Sequence, residues 1–562
     1  MAMNQKMELE NKTVGEFLFD CLKNEGVTEI FGVPGDFNFS LLDTLEKYED
    51  IQFINGRNEL NAGYAADAYA RLRGLSAMIT TFGVGEMSAC NSVAGAYSEN
   101  VPLIHIAGSP KSQEQQEKKL LHHTLMDGDF DVFHRMYEQI TIYSAKVTPE
   151  NAALEIPKAI NMAKVHQKPV YLVMAIDQVT EKVVPHLEAE EDAKTTSSAS
   201  LHQAGEHAQA LLSQAKNAVI LTDNMAYRKR LGGKVKELAE GMNAPVAALM
   251  QGKGGFDETH PFFIGVYSGE FGDENVRRIV EEADVIISVG LIRSDMNMAK
   301  YTASLDSARM IDIHPEFTKI GAAQYMNLMA EDMLEALAGI KFTQEAPEPA
   351  RFPYEEVTEF QEEPIQAKYY YPRIQKMLKS QDILVVETGT FTYGMSQIRL
   401  PKGADYIAQG GWQSIGYATP AAFGASVAAK DRRVILFTGD GSLQLTVQEI
   451  SSMLANGCKP IIFVLNNQGY TIEKYLNVQV EIEKQDYNDI PLWNYTKLTE
   501  VFGGEAYTAA VKTMGELDSA IEAAEQQDQL AIIELQTSES MDAPEYLKKM
   551  REMLEKQKQQ SE

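Results

Sequence analysis

The stretch Arg433–Glu473, RVILFTGDGSLQLTVQEISSMLANGCKPIIFVLNNQGYTIE, decides the fold class. Val434–Phe437 is a short apolar, β-favouring run stopped by Gly439-Asp440-Gly441, as a buried parallel strand would be. From Leu443 onward Leu443, Val447, Ile450 and Leu454 recur at spacings of three and four, which predicts a single helix with an apolar face. Gly457 ends that helix, and Pro460–Leu465 is a second apolar strand. Strand, helix and strand make a βαβ unit, whose crossover is almost always right-handed. Asp440 and Asn467 then both emerge at the carboxyl edge of parallel strands, where open α/β sheets bind ligands. One carboxylate, one amide oxygen and a backbone carbonyl at that edge suit Mg²⁺, leaving the other positions to phosphate and water. Gly439 and Gly441 let the backbone approach a diphosphate. Singly, each motif reads as an ordinary turn, because Gly, Asn and Asp dominate turns. Paired across one βαβ unit, they read as a site.

Outward from this unit, 562 residues predict three or four domains at ~150 residues each. Hydrophobic and charged fractions of 44% and 23% belong to an ordinary soluble protein, so large cores are available. A net charge of −29 argues against nucleic acid or an acidic membrane surface as partner. Cys21, Cys90 and Cys458 lie too far apart for a metal-ligand spacing or a disulfide framework. The N-terminal MAMNQKMELENK has no apolar core of a signal peptide, and no apolar run approaches the ~18 residues of a membrane span. The expected location is cytoplasmic.

Strand-like and helix-like segments alternate through residues 8–185, which predicts an α/β domain with a mainly parallel sheet. Its strands are Glu29–Val33, Ile51–Ile54, Ala77–Thr81, Leu103–Ala107 and Val170–Met174, with helices Val14–Asn24, Phe39–Tyr48 and Asn58–Arg71. An acidic, Ser- and Thr-rich stretch, Glu188–Ser200, reads as a linker. A Rossmann-like middle domain follows at 201–341, without the glycine fingerprint of a dinucleotide site. A second linker, Thr343–Pro364, leads to the third domain at 365–550. The expected architecture is therefore three doubly wound parallel-sheet domains. No short internal repeat is visible.

Four further segments carry candidate chemistry. Glu59, in Gly56-Arg-Asn-Glu-Leu-Asn, could be an acid favoured by a helix dipole or a group that polarises a ring nitrogen. Asp36, in Gly32-Val-Pro-Gly-Asp-Phe-Asn, could be a helix cap. His122 and His123 are neighbours in a polar loop, and adjacent histidines rarely serve one metal. Glu473 closes the opening stretch and could be only a helix-start acid. Thr80-Thr-Phe-Gly and Arg57 are read as structural.

In combination these residues are more informative. GVPGDFN (Gly32–Asn38), NELNAGYAADAYAR (Asn58–Arg71), TTFGVGEMSA (Thr80–Ala89), HHTL (His122–Leu125), ETGT (Glu387–Thr390), SIGYATPAAFGA (Ser414–Ala425) and YNDIPLWNY (Tyr487–Tyr495) occur in that order around the paired motif. The chain resembles the thiamine-diphosphate-dependent 2-oxo acid decarboxylases from Thr13 to about Lys549. The resemblance implies a pyrimidine-binding, a middle and a diphosphate-binding domain, with thiamine diphosphate and Mg²⁺ as cofactors. It implies Asp440, Asn467 and the Gly469 carbonyl as metal ligands. Thr390, Gly441, Ser442, Tyr470, Thr471 and Ile472 complete the cofactor contacts, and Ile415 is the wedge that bends the cofactor. Glu59 would reach the pyrimidine from a neighbouring subunit, making a homodimer the minimal active unit and a tetramer the expected assembly. Asp36, His122, His123 and Glu473 would handle protons. Relatives commonly read Trp-Gly-Ser-Ile-Gly where this chain has Trp412-Gln-Ser-Ile-Gly416, so Gln413 supplies the backbone carbonyl for the cofactor's amino group.

Thr392, Tyr393, Ile472, Leu476 and Met541 correspond to the substrate-facing positions of the family. Small Thr392 leaves room for branched or aromatic 2-oxo acids, Ile472 takes some back, and pyruvate remains admissible. The competing reading is a carboligase of the acetolactate synthase type, against which the histidine pair counts.

Overall fold

The computed structural model describes residues 11–185, 195–348, 352–355 and 361–561, and three sheets organise them. The first consists of β1 (Glu29–Gly32), β2 (Gln52–Asn55), β3 (Ser76–Thr80), β4 (Leu103–Ser109), β5 (Tyr143–Val147) and β6 (Val170–Ala175). All its pairings are parallel, in the order β2-β1-β3-β4-β6-β5. The second holds β7 (Ala218–Thr222), β8 (Val246–Ala248), β9 (Phe263–Val266), β10 (Val285–Val289), β11 (Met310–Ile313), β12 (Phe317–Ile320) and β13 (Ala323–Met326). The third holds β14 (Ile383–Val386), β15 (Asp405–Ile407), β16 (Val434–Gly439), β17 (Ile461–Asn466), β18 (Tyr507–Val511) and β19 (Ala531–Gln536). It is again wholly parallel, ordered β15-β14-β16-β17-β19-β18.

Numbered within each sheet, the first and third have the same strand order. The duplication is in topology and leaves no legible repeat in sequence. The middle sheet is parallel from β9 to β11, and β12 and β13, which the sequence reading did not find, add an antiparallel hairpin at its edge. Lys319 is exposed within β12, and β13 alternates half-buried with exposed residues, so neither shows the apolar run that marks the buried strands.

Local chemistry sets the element ends. Thr13 and Glu16 form a capping box ahead of helix Val14–Asn24. Helix Glu59–Arg73 starts behind Asn58, whose side chain accepts the Asn61 N–H, and stops at Gly74 in the left-handed region, φ +92°. The predicted helix Phe39–Tyr48 runs Phe39–Leu45. Both expected linkers lie partly outside the described residues; helix Ser198–Leu212 already begins within the first of them.

Helix Glu59–Arg73 packs along helix Ala418–Ala428, and the two share one core with the facing sides of the first and third sheets. Small residues permit this closeness: a methyl on Gly424 would lie 1.9 Å from the Ala65 carbonyl oxygen. Polar ties reinforce the seam, with buried Arg71 bonded to Asp67 at 2.6 Å and the Tyr417 hydroxyl donating to the same carboxylate at 2.6 Å. Among the described residues, no helix is long and apolar enough to cross a membrane.

In both six-stranded sheets the chain reverses direction of winding between the first and third strands, the topological switch where α/β sheets open a crevice. Asp36 follows β1, Glu59 follows β2, Glu387 follows β14, Asp440 follows β16 and Asn467 follows β17. The fold thus brings the candidate residues to two sheet edges.

Candidate active site

At the third sheet, β16 runs to Gly439 and a helix starts on the next residue, Asp440–Thr446. The single helix expected from the apolar spacing is in fact two, Asp440–Thr446 and Glu449–Ala455. The break falls at the β-branched pair Thr446-Val447, where the Thr446 hydroxyl is engaged by the Gly416 carbonyl at 2.7 Å. The apolar face survives, with Leu443 and Ile450 fully buried.

Asp440 is 1% exposed, and its two carboxylate oxygens accept the N–H groups of Gly441 at 2.8 Å and Gln468 at 2.7 Å. Burial outweighs these donors and pushes its pKa up to about 6. The Asn467 amide oxygen faces two other oxygens, the Gly469 carbonyl at 2.9 Å and Asp440 Oδ1 at 3.3 Å, unless the amide is turned over. Three oxygens converging on one point in a desolvated site match the donor set of a hard divalent cation. Gly439 lines the adjoining cavity, and a methyl there would meet nothing within 4 Å, so the backbone is open to a ligand. Gly441 and Gly469 are excluded from carrying side chains for a different reason: methyls there would strike Tyr470 at 2.5 Å and the Asn488 carbonyl at 2.4 Å.

The cavity has a volume of about 350 Å³ and is lined solely by residues between Glu387 and Asn488. It gathers Thr390, Ile415, Asp440, Gly441, Ser442, Asn467, Gly469, Tyr470, Thr471, Ile472 and Glu473. Gln413 stands outside this lining. Its φ of +53° lies in the left-handed region, which glycine adopts without strain, and its Nε2 donates to the Gly410 carbonyl at 3.1 Å. Gln413→Gly should therefore change stability by no more than about 1 kcal/mol, relief of strain offsetting added chain entropy. Because only a backbone carbonyl is required, turnover should stay within about threefold of wild type. Thermal denaturation and steady-state kinetics check both.

The sequence reading missed Glu387, a cavity-lining acid at the carboxyl end of β14 and 1% exposed. One oxygen accepts the Thr388 N–H at 3.0 Å and the other the Ala418 N–H at 3.1 Å, tying strand β14 to the segment that presents Ile415. Burial pushes its pKa up to about 8. An acid directly after an apolar strand was the signal available. Since the folded pKa exceeds the ordinary 4.5, the proton-linked stability is complete below pH 4.5 and is lost as pH rises toward 8. Glu387→Gln loses one acceptor but escapes that loss. Its deficit relative to wild type should be largest near pH 5 and narrow towards pH 8, at roughly 1.4 kcal/mol per pKa unit. Denaturation curves at several pH values test this, and a deficit that widens with pH refutes it.

The first sheet carries the remaining candidates. His122 Nε2 lies 2.6 Å from Asp36 Oδ2, and His123 Nε2 lies 3.7 Å from Asp36 Oδ1, so both histidines address one carboxylate. They can do so because His123 adopts φ +62°, which undoes the divergence of neighbouring side chains. Phe37 stacks on His122 at 4.9 Å and a cluster of Phe82, Phe130 and Phe133 backs it. Glu59 opens its helix. None of these four lines the cavity at the third sheet.

Tyr393, Ile472, Leu476 and Met541 fall into one apolar cluster, covered by Tyr546, Leu547 and Met550 of helix Glu545–Ser561. Met250 and Met296 reach it from the middle unit, with the Tyr393 hydroxyl 3.9 Å from Met296 Sδ. Thr392 stands apart, its hydroxyl donating to the Glu387 carbonyl at 2.7 Å.

Comparison with known proteins bears directly on this arrangement. Family models for thiamine pyrophosphate enzymes match all three units: the N-terminal TPP-binding domain at 12–134, the central domain at 206–337 and the C-terminal TPP-binding domain at 387–535. The chain is 41% identical over 518 residues to a pyruvate decarboxylase of Hanseniaspora uvarum, spanning 90% of this chain and 91% of that one. It is 38% identical over 531 residues to an alpha-keto-acid decarboxylase of Mycobacterium avium, spanning 93% of each. The chain belongs to the thiamine-diphosphate-dependent 2-oxo acid decarboxylases. A solved thiamine diphosphate-dependent 4-hydroxybenzoylformate decarboxylase from Rhodococcus jostii superposes with a TM-score of 0.77 over 94% of this chain. At 22% identity it establishes the shared fold alone. The decarboxylase takes thiamine diphosphate as cofactor, and the converging oxygens and open backbone at Gly439 fit its diphosphate and a metal.

Proposed function

We propose that this decarboxylase converts branched-chain or aromatic 2-oxo acids to aldehydes in preference to pyruvate. The observation that carries this reading is the apolar wall of Tyr393, Ile472, Leu476 and Met541 beside the Glu473-lined cavity. Asp440, Asn467 and the Gly469 carbonyl would hold Mg²⁺ and the diphosphate, with Thr390, Gly441, Ser442, Tyr470 and Thr471 lining the same cavity. Ile415 and the Gln413 carbonyl would orient the cofactor ring. When bound, thiamine diphosphate supplies a nucleophilic carbon and an electron sink, the chemistry that loss of CO₂ from a 2-oxo acid requires. Glu59 would hold a hydrogen bond to the cofactor pyrimidine. Glu473 exchanges a proton at the substrate carboxylate side, and Asp36 with His122 and His123 returns the proton that yields the aldehyde. The apolar wall excludes water and disfavours a charged carboxylate, which assists its loss.

Because Glu59 and the Asp36 cluster stand away from the chain's own cavity, we assign the complete site to two subunits, in a dimer or a dimer of dimers. On this reading residues 8–185 bind the pyrimidine, 365–550 bind the diphosphate and metal, and 201–341 lend apolar side chains, Met250, Phe271 and Met296 among them, to the wall of the pocket. A cytoplasmic location agrees with the free cysteines.

The test is a panel of 2-oxo acids assayed with thiamine diphosphate and Mg²⁺, with products identified. The highest kcat/KM is expected for a branched or aromatic acid and aldehyde as the product. Highest kcat/KM for pyruvate overturns the preference, and acetolactate without aldehyde overturns the reaction type.

A further inference from the structure

The segment Thr80–Gly85 has no role in the reading above, yet it lies against the residue before Asp36, against His123 and beside Glu59. A methyl built on Gly35, the residue before Asp36, would meet Thr81 Cβ at 2.6 Å. One on Gly83 would lie 1.8 Å from the His123 carbonyl oxygen, and one on Gly85 would lie 3.4 Å from Glu59 Oε1. The segment is therefore a template packed against the residue that precedes Asp36 and against the His123 backbone, with Gly85 facing Glu59.

The template turns on a glycine. Gly83 has φ +63° and ψ −86°, a γ-turn conformation that glycine adopts readily and residues with a Cβ do not. The side chain that selects this turn from glycine's many is Glu86, the third residue of helix Val84–Glu99. Its Oε2 accepts the Gly83 N–H at 2.6 Å, and its Oε1 accepts the Tyr171 hydroxyl. Tyr171 is fixed in turn by stacking on Tyr137, with centroids 4.4 Å apart, while the Tyr137 hydroxyl donates to the Glu86 carbonyl at 2.7 Å. Glu86 is 0% exposed and burial pushes its pKa up to about 7. A glutamate at this helix position can cap in full contact with water, so capping alone does not call for such costly burial. The burial becomes intelligible if the bond to Gly83 must not be exchanged for water.

We propose that Glu86 is a positioning residue for decarboxylation, locking the Gly83 turn so that His123, Asp36 and Glu59 keep their mutual geometry. The inference rests on the proton-handling roles assigned above to those residues. Placement errors near 1 Å cost about 100-fold in rate, and lost supporting partners about 10–100-fold.

The experiment compares Glu86→Ala, Glu86→Gln, Tyr171→Phe and Asp36→Ala in the holoenzyme. Glu86→Ala should lower kcat about 10–100-fold, with KM and thiamine diphosphate affinity within about twofold of wild type. Glu86→Gln retains a carbonyl acceptor for Gly83 and should restore most of the lost turnover. Tyr171→Phe frees one oxygen of the carboxylate and should give an intermediate kcat, so it decides the matter if Glu86→Ala does not fold. A folded Glu86→Ala or Tyr171→Phe enzyme with lowered melting temperature but wild-type kcat overturns the inference, since that is the signature of a merely structural residue. Asp36→Ala separates the two layers: wild-type turnover there removes the underlying role assignment, whereas a crippled Asp36→Ala beside an unimpaired Glu86→Ala removes only the positioning role.

Discussion

Glu473→Gln should lower kcat by about 100- to 10,000-fold while thiamine diphosphate and Mg²⁺ still bind. The substitution is isosteric, and Glu473 sits within helix Thr471–Leu476, where the backbone rather than the carboxyl makes the helical bonds. It lines the cavity shared by Asp440 and Asn467 without belonging to their oxygen cluster. Removing a proton-exchanging group should therefore reach the chemical step and spare the metal and diphosphate. Steady-state kinetics and cofactor titration by intrinsic fluorescence measure the two separately. Turnover at the wild-type rate would discard the role, and loss of cofactor affinity would reassign Glu473 to binding.

The second large effect concerns how a site is assembled. Glu59→Gln alone should reduce turnover by about 100- to 10,000-fold, as loss of an acid partner in proton transfer does. Co-expressing Glu59→Gln chains with Glu473→Gln chains should nevertheless recover activity. If each site takes Glu59 from one chain and Glu473 from the other, a mixed dimer has one site with both acids and one with neither. Random pairing in a two-fold dimer then restores about a quarter of wild-type activity. If both acids of a site came from one chain, no mixed dimer would contain an intact site and the mixture would stay as inactive as its parts. Tagging the two chains differently and purifying the mixed species sharpens the reading to about one half.

The strands that position the site were legible because they are buried on both faces and read as apolar runs. Val434–Phe437 and Ile461–Leu465 are examples. The antiparallel hairpin β12–β13 was not, since its side chains are partly exposed and its pairing depends on β11 rather than on its own composition. The kink at Thr446-Val447 escaped for a related reason: apolar spacing reports a face, and the Thr446 bond to Gly416 comes from a segment some thirty residues earlier in the chain. Among the site residues, Asp440 and Asn467 announced themselves through turn chemistry on either side of one helix. Glu387 and Glu86 did not: both stand within quoted motifs, ETGT and TTFGVGEMSA, but burial of an acid is decided by neighbours distant in the chain. The convergence of His122 and His123 on Asp36 was hidden too, as it depends on the left-handed backbone at His123.

The seam between helices Glu59–Arg73 and Ala418–Ala428 has a consequence for engineering heat resistance. Exchanging helical glycines for alanine is a common route to a sturdier protein, but Gly63 and Gly424 have no space for it, with methyls falling 1.9 Å from Ser92 Oγ and from the Ala65 carbonyl. Any yielding there would shift the helix that bears Glu59. The middle unit offers helical positions without that constraint: methyls on Gly205, Gly233 and Gly241 meet nothing within 4 Å. Alanine at each should add about 0.4–1 kcal/mol, measurable by thermal denaturation with kcat unaltered. Stability in this enzyme can be raised most safely in the domain that does least of the chemistry.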